Sequence, residues 1–129
     1  MRRPAPRATI SGVSNTILIV DDHEDFRRTA RALLEADGFE VVGEATDGES
    51  AIACAERLRP RLVLVDIRLP DIDGFEVAAR LAQSSDPPTI ILTSSRDASS
   101  YRRRLARSPA QAFIPKSELS GEALAAALA

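Results

Sequence analysis

Five short apolar runs, each followed by a stretch of helical periodicity, constrain this chain more than any other feature. Thr16–Val20 (TILIV), Leu62–Val65 (LVLV) and Thr89–Leu92 (TIIL) are apolar at nearly every position. A strand with one wet face alternates apolar and polar residues. Unbroken apolar strands are buried on both faces, as in a parallel sheet. Glu40–Ala45 (EVVGEA) and Ala112–Pro115 (AFIP) are weaker runs of the same kind. Between the runs, residues 24–37 carry Phe26, Ala30, Leu33 and Leu34 at helical spacing and stop at Gly38. Gly48–Leu58 and Phe75–Leu81 repeat the pattern, residues 97–107 read as a polar helix, and residues 118–128 as a last, Ala-rich one. Right-handed crossovers place such helices on both sides of the sheet. The predicted class is therefore α/β, a doubly wound five-stranded parallel sheet with helices on both faces.

At 129 residues the chain has the size of one domain. Residues 1–15 (MRRPAPRATISGVSN) have no apolar period and are rich in Pro, Ser, Gly and Arg, so they read as a mobile tail. Residues 16–129 form the domain. An apolar share of 44% with 28% charged residues excludes a wholly disordered chain. No run approaches the roughly 20 apolar residues that cross a bilayer, so no membrane span is expected. No apolar stretch follows the basic start, so no secretory signal is expected either. Cys54 is the sole cysteine, which excludes an internal disulfide and a thiolate zinc site and fits a reducing, cytoplasmic compartment. Net charge is −2; without Arg2, Arg3 and Arg7 the remainder holds 14 basic against 19 acidic groups, a balance of −5. Direct, non-specific nucleic-acid binding is not expected of it.

In open parallel sheets, sites form beyond the carboxyl ends of the strands. Asp21 and Asp22 follow the first run, Asp66 the third, Thr93 and Ser94 the fourth, and Lys116 the fifth. The second run ends in Ala45–Thr46 and offers less. With strand one beside strand three, these ends converge. Three carboxylates in a small space repel one another, and without a cation at least one holds its proton more tightly than a free Asp. Mg²⁺ resolves this with oxygen ligands. An ammonium and a hydroxyl nearby suit phosphoryl oxygens, and an Asp carboxylate can itself be the nucleophile. Lys116 is the only Lys in a chain with 16 Arg, a compact point charge where every other cation is a planar fork.

The strings "ILIVDDHEDFRR", "LVLVDIRLPDIDG", "IILTSS" and "FIPK", in this order and spacing, closely resemble the receiver domains of two-component response regulators. The resemblance runs from about Thr16 to the end. With "FEVVGEATDGESAI", the first half looks most like receivers that precede LuxR/NarL-type DNA-binding domains. The resemblance implies a flavodoxin-like strand order, 2-1-3-4-5. It implies that Asp66 is the phosphoacceptor for a histidine kinase or phosphotransfer protein. Asp21, Asp22 and Asp66 would hold Mg²⁺ with the backbone carbonyl of Arg68, Asp22 directly and Asp21 mostly through water. Thr93 and Ser94 would serve as phosphoryl-binding hydroxyls, Thr93 as the switch, Lys116 as the phosphoryl partner, and Phe113 as the aromatic residue that turns inward. The output would be a surface on the fourth helix, fifth strand and fifth helix, read by a downstream protein. Many members have Pro directly after the lysine; here Pro115 precedes Lys116 and Ser117 follows.

A free-standing receiver is the expectation, because the chain ends at Ala129; a receiver cut from a DNA-binding regulator is the alternative. Enzymatic turnover is not expected. A haloacid-dehalogenase-type phosphatase needs a second Asp two residues after the first, where Arg68 stands, and no G-x-G-x-x-G follows the first strand for a dinucleotide. "DIDG" at 71–74 reads as a turn, since Phe75 and Ala82 occupy the calcium-ligand positions. His23 is expected to be structural or solvent-facing, Cys54 core or half-buried, and Arg102–Arg104 beside Tyr101 a solvated helix face. The final helix suits a partner or homodimer surface as well as a frayed end.

Overall fold

The computed structural model describes residues 15–128, so the tail expected over residues 1–15 lies almost wholly outside the described residues. The order of elements is β1 (Thr16–Val20), α1 (Glu24–Ala36), β2 (Glu40–Ala45), α2 (Gly48–Leu58), β3 (Leu62–Asp66), α3 (Gly74–Leu81), β4 (Thr89–Ser94), α4 (Arg102–Arg107), β5 (Ala112–Pro115) and α5 (Gly121–Leu128). All strand pairs are parallel and the sheet order is β2-β1-β3-β4-β5.

Successive side chains of a strand point to opposite faces, which divides the apolar runs between two cores. Leu18, Val20, Val63, Val65 and Leu92 pack with Ala51 and Ala55 of α2 and with Val77, Ala78 and Leu81 of α3. Ile17, Ile19, Leu62, Leu64, Ile91 and Ile114 pack with Ala30 and Leu34 of α1 and with Leu124 of α5. The edge strand β2 is only half-buried, which explains its weaker apolar pattern.

Local chemistry fixes where the helices start. Asp47 caps α2 through Ser50 N at 2.8 Å, with the Ser50 hydroxyl returned to the Asp47 amide. Asp73 caps α3 through Glu76 N at 2.9 Å. Asp71 accepts from the amides of Gly48 and Glu49 at the start of α2 at 2.8 and 2.9 Å, so "DIDG" is turn and cap chemistry.

Two expectations need correction. The polar helix expected over 97–107 is a 3₁₀ turn, Ala98–Tyr101, followed by a short α4. Ser99 and Ser100 favour local bonds over a helix interior, and the Ser99 hydroxyl bonds Asp97 at 2.6 Å. The last helix begins at Gly121 rather than 118, because Leu119 leaves helical geometry to bury its side chain and Ser120 bonds the amide of Ala123 at 2.9 Å. Arg102, Arg103 and Arg104 are exposed, as expected of a solvated face. Tyr101 packs into the core on the α2–α3 side, and Arg104 lies 4.2 Å over the Phe75 ring while pairing with Asp73 at 2.5 Å.

Candidate functional site

The register of the central strands sets the site. Val20 pairs with Val65 and Asp66 pairs with Thr93, so β1, β3 and β4 end side by side at their carboxyl edge. Asp21 and Asp22 follow β1 there, and Lys116 follows β5. Asp21, Asp66, Thr93 and Ser94 are the buried polar residues among those described.

Lys116 bridges the carboxylates. Its Nζ lies 2.7 Å from Asp21 Oδ2 and 3.4 Å from Asp66 Oδ2, and 4.5 Å over the Phe26 ring. The approach to Asp21 is an ion pair off the line of a hydrogen bond, so Asp21 Oδ2 is buried without an aligned donor. The Thr93 hydroxyl is likewise buried without a partner. Asp66 Oδ1 accepts the Arg68 amide at 3.2 Å. Burial pushes the Asp66 carboxyl above its ordinary value and the Asp21 charge adds to this; Lys116 and the Arg68 amide oppose it.

Asp22 is exposed and joins the cluster through His23, whose Nδ1 lies 3.0 Å from Asp21 Oδ1 and 3.2 Å from Asp22 Oδ1. Ligand atoms of Asp21, Asp22, His23 and Asp66 lie within 4.8 Å of one another. Two buried oxygens without aligned donors, among carboxylates that repel, form a donor set suited to a hard divalent cation, so the residues fit the Mg²⁺ expected here. They do so at the mouth of a sheet whose glycine Gly74 lets the β3–α3 loop close on Asp66. A Cβ at Gly74 would stand 2.6 Å from the Asp66 carbonyl oxygen.

Of the remaining expected residues, Ser94 and Phe113 face Tyr101, and Arg68 meets the acids through its backbone alone. Ser94 is buried, but its hydroxyl meets the Tyr101 hydroxyl at 3.1 Å and accepts the Arg96 amide at 3.1 Å, so its side chain serves the start of α4. Phe113 is half-buried, its ring 6.2 Å from that of Tyr101, which lies 5.9 Å from Phe75. Arg68 has an exposed side chain.

Sequence reasoning missed Arg27 and the reach of His23. The Arg27 guanidinium donates to the Asp21 carbonyl at 2.8 Å and to Glu44 Oε1 at 2.9 Å, tying the loop after β1 to β2. Only the pairing of β1 with β2 brings Glu44 there, so no local signal could have found it. Tyr101 and Leu105, four apart and both packed inward, were a visible signal for the inner face of this segment. A cavity of about 500 Å³, lined by Arg59, Arg61, Asp86 and Thr89 among others, lies at the opposite, amino ends of β3 and β4, away from the acids. No described helix is long and apolar enough to cross a membrane.

Residues 17–129 match the model of the response regulator receiver domain family. The chain is 38% identical over 115 residues to the transcription regulator BvgA of Bordetella pertussis, covering 89% of this chain and 55% of that protein. It is 36% identical over 83 residues to the transcriptional regulatory protein PdtaR of Mycobacterium tuberculosis, covering 64% of this chain and 40% of that one. The chain thus spans about half the length of curated relatives such as BvgA. Among solved structures, the signal receiver domain of the response regulator NarL from Mycobacterium tuberculosis superposes with a TM-score of 0.79 at 28% identity, covering 89% and 97% of the two chains. The receiver domain of a modulated diguanylate cyclase from Desulfovibrio desulfuricans G20 gives 0.77 at 34% identity, covering 89% and 90%.

Proposed function

The chain belongs to the response regulator receiver domain family, and from that premise we propose that it is a phosphorylation-dependent signalling switch whose phosphoacceptor is Asp66. The donor is a histidine kinase or phosphotransfer protein in the cytoplasm. The observation that carries the reading is the meeting of Lys116 with Asp21 and Asp66, residues up to 95 positions apart in the chain, at one strand edge.

Asp22, Asp66 and the Arg68 carbonyl would hold Mg²⁺, with Asp21 acting mostly through water. Bound there, the ion neutralises charge on the carboxylates and on the incoming phosphoryl oxygens. The Asp66 carboxylate attacks phosphorus as the donor's nitrogen leaves, which is a positioning and charge problem more than a covalent one. The Arg68 amide on Oδ1 fixes the carboxylate's orientation. Lys116, already beside Oδ2, pairs with a phosphoryl oxygen. Thr93, whose hydroxyl has no competing bond, turns to another. Its movement vacates space for Phe113 to turn inward, changing the surface made by α4, β5 and α5 for a downstream protein. The chain undergoes this transfer and slow hydrolysis of the product, with no sustained turnover of a substrate.

Incubation with acetyl phosphate and Mg²⁺ tests the reading. Intact mass should rise by one alkali-labile phosphoryl group, and chelation of Mg²⁺ or Asp66→Asn should abolish the rise. Phosphoryl gain that survives Asp66→Asn would contradict it. Lys116→Ala should still bind Mg²⁺ but lose the phosphorylation-dependent NMR shifts of α4 and β5; unchanged shifts would remove Lys116 from the switch.

A second reading treats the same switch as the input half of a transcription regulator. It is favoured by the 55% coverage of BvgA, a relative named for that role. In a longer reading frame that includes a DNA-binding module, phosphorylation would then change DNA affinity. Phosphorylation with no effect on that affinity would reject this reading.

A further inference from the structure

We propose that Arg27 is a positioning residue of the acidic site: held by Glu44, it fixes the peptide plane that joins Asp21 to Asp22 and thereby sets the affinity of the site for Mg²⁺. The inference rests on the metal site described under the proposed function and concerns what holds that site's ligands in place.

The carbonyl of Asp21 and the amide of Asp22 belong to one peptide unit. That unit is planar, so fixing its oxygen fixes the direction in which the chain carries Asp22. The Arg27 guanidinium donates to this oxygen from Nη1 at 2.8 Å. The Asp21 amide donates to the Ala45 carbonyl at 3.0 Å. Both backbone groups of Asp21 are thus tied to β2. The amide is tied directly to Ala45, the carbonyl through Arg27 to Glu44, which accepts from Arg27 Nε at 2.9 Å. The buried Asp21 carboxylate, with Lys116 Nζ 2.7 Å away, hangs from the same anchor. Asp22 is exposed, so its backbone, rather than the core, aims its carboxylate.

Arg27 is itself fixed. It stands in the first turn of α1 and its side chain is only 15% exposed. A guanidinium presents its donors in a rigid fork, so Nε on Glu44 determines where Nη1 points. Glu44 is held from a second side, its other oxygen accepting from Arg31 Nε at 2.8 Å, and Arg31 in turn pairs with Glu35 at 3.0 Å. The bond to Arg31 first, with that to Arg27, holds the Glu44 carboxyl below its ordinary value despite burial, so it stays ionised. The charge of Arg27 acts in the opposite sense to its placement. A cation beside the acids repels Mg²⁺, so a purely electrostatic role would weaken binding. Arg31, one turn further along α1, carries the same charge and bonds the same glutamate, but its bonds go to Glu44 and Glu35 and not to Asp21. The pair therefore separates placement from charge.

Calorimetric titration of the full chain with Mg²⁺ tests this, on the parent, Arg27→Gln, Arg31→Gln and Glu44→Gln. Arg27→Gln should raise the Kd about tenfold or more, the scale of a lost outer-shell partner, although it removes a positive charge. Arg31→Gln removes the same charge and should leave the Kd at or below the parental value. Glu44→Gln should raise it less than Arg27→Gln, because the amide oxygen still accepts from Arg27. In the metal-free chain, the NMR resonance of the Asp22 amide nitrogen, in the same peptide unit, should shift in Arg27→Gln and hold in Arg31→Gln. A Kd for Arg27→Gln equal to or below the parental one overturns the proposal, by showing a charge effect or none. A Kd raised equally by Arg27→Gln and Arg31→Gln also overturns it, by showing a general loosening of α1. If Arg27→Gln does not fold, Arg27→Lys, which keeps the charge but loses the fork, takes its place with the same expected direction. Absence of Mg²⁺ binding to the parent would overturn the metal-site reading and the proposal with it, and is told apart because the parental titration alone reports it.

Discussion

Asp66 is held where an ionised carboxylate is least comfortable. Burial first, and the Asp21 charge second, raise its pKa in the fold, with Lys116 only partly compensating. The folded-state value therefore lies above the unfolded one, near 3.8. Such a group contributes stability fully below that unfolded value and loses it as pH rises through the folded value. At neutral pH without Mg²⁺, Asp66→Asn should thus be more stable than the parent, with a thermal midpoint higher by a few degrees, roughly the shift that 1 kcal/mol produces. The advantage should vanish as pH falls below about 3.8. Thermal melts across pH check this; a parent that equals or exceeds the variant at neutral pH would show that Lys116 fully neutralises the pocket. Residue types and their places at strand ends were legible in the sequence, because each chemical group directly follows an apolar run. The role of Arg27 was not, because its partner comes from tertiary placement: Glu44 reaches Arg27 only through the pairing of β1 with β2.

Two elements transmit or shape the site. The β3–α3 loop returns on Asp66 because Gly74 lacks a side chain. A Cβ there would meet the Asp66 carbonyl oxygen at 2.6 Å and Ile67 Cα at 2.8 Å, both backbone atoms that cannot swing aside. Gly74→Ala should cost about 1–3 kcal/mol, the range for forced overpacking, and should weaken Mg²⁺ binding as Asp66 is displaced. Urea unfolding with a metal titration checks both, and a variant with parental values in each would contradict the close approach. The segment leading into α4 is pinned by the Tyr101–Ser94 bond, one residue from Thr93. Tyr101→Phe should cost about 0.5–1.5 kcal/mol, since Ser94 keeps the Arg96 amide as a partner. It should also speed hydrogen exchange in residues 98–107; unchanged exchange would mean the bond does not restrain α4. The division of 98–107 into a 3₁₀ turn and a short helix was illegible from composition, because the segment is polar almost throughout and the turn is set by local bonds such as that of Ser99 to Asp97.

At the scale of the molecule, two cores on opposite faces of one parallel sheet hold the strand ends in register, and that register assembles the site. The sheet was readable because burial on both faces leaves unbroken apolar runs, and four of its five strands end in groups with one shared chemistry. What the runs could not convey is how far each side chain turns toward the others: Ser94, adjacent to Thr93, turns to Tyr101 instead of Asp66. The most direct test of Asp66 as acceptor is to phosphorylate the chain with acetyl phosphate and Mg²⁺, reduce the acyl phosphate with borohydride, and locate the resulting homoserine by peptide mass spectrometry. The account predicts a single modified position, Asp66. Modification at Asp21, Asp22 or a side chain outside this strand edge, with Asp66 untouched, would contradict it.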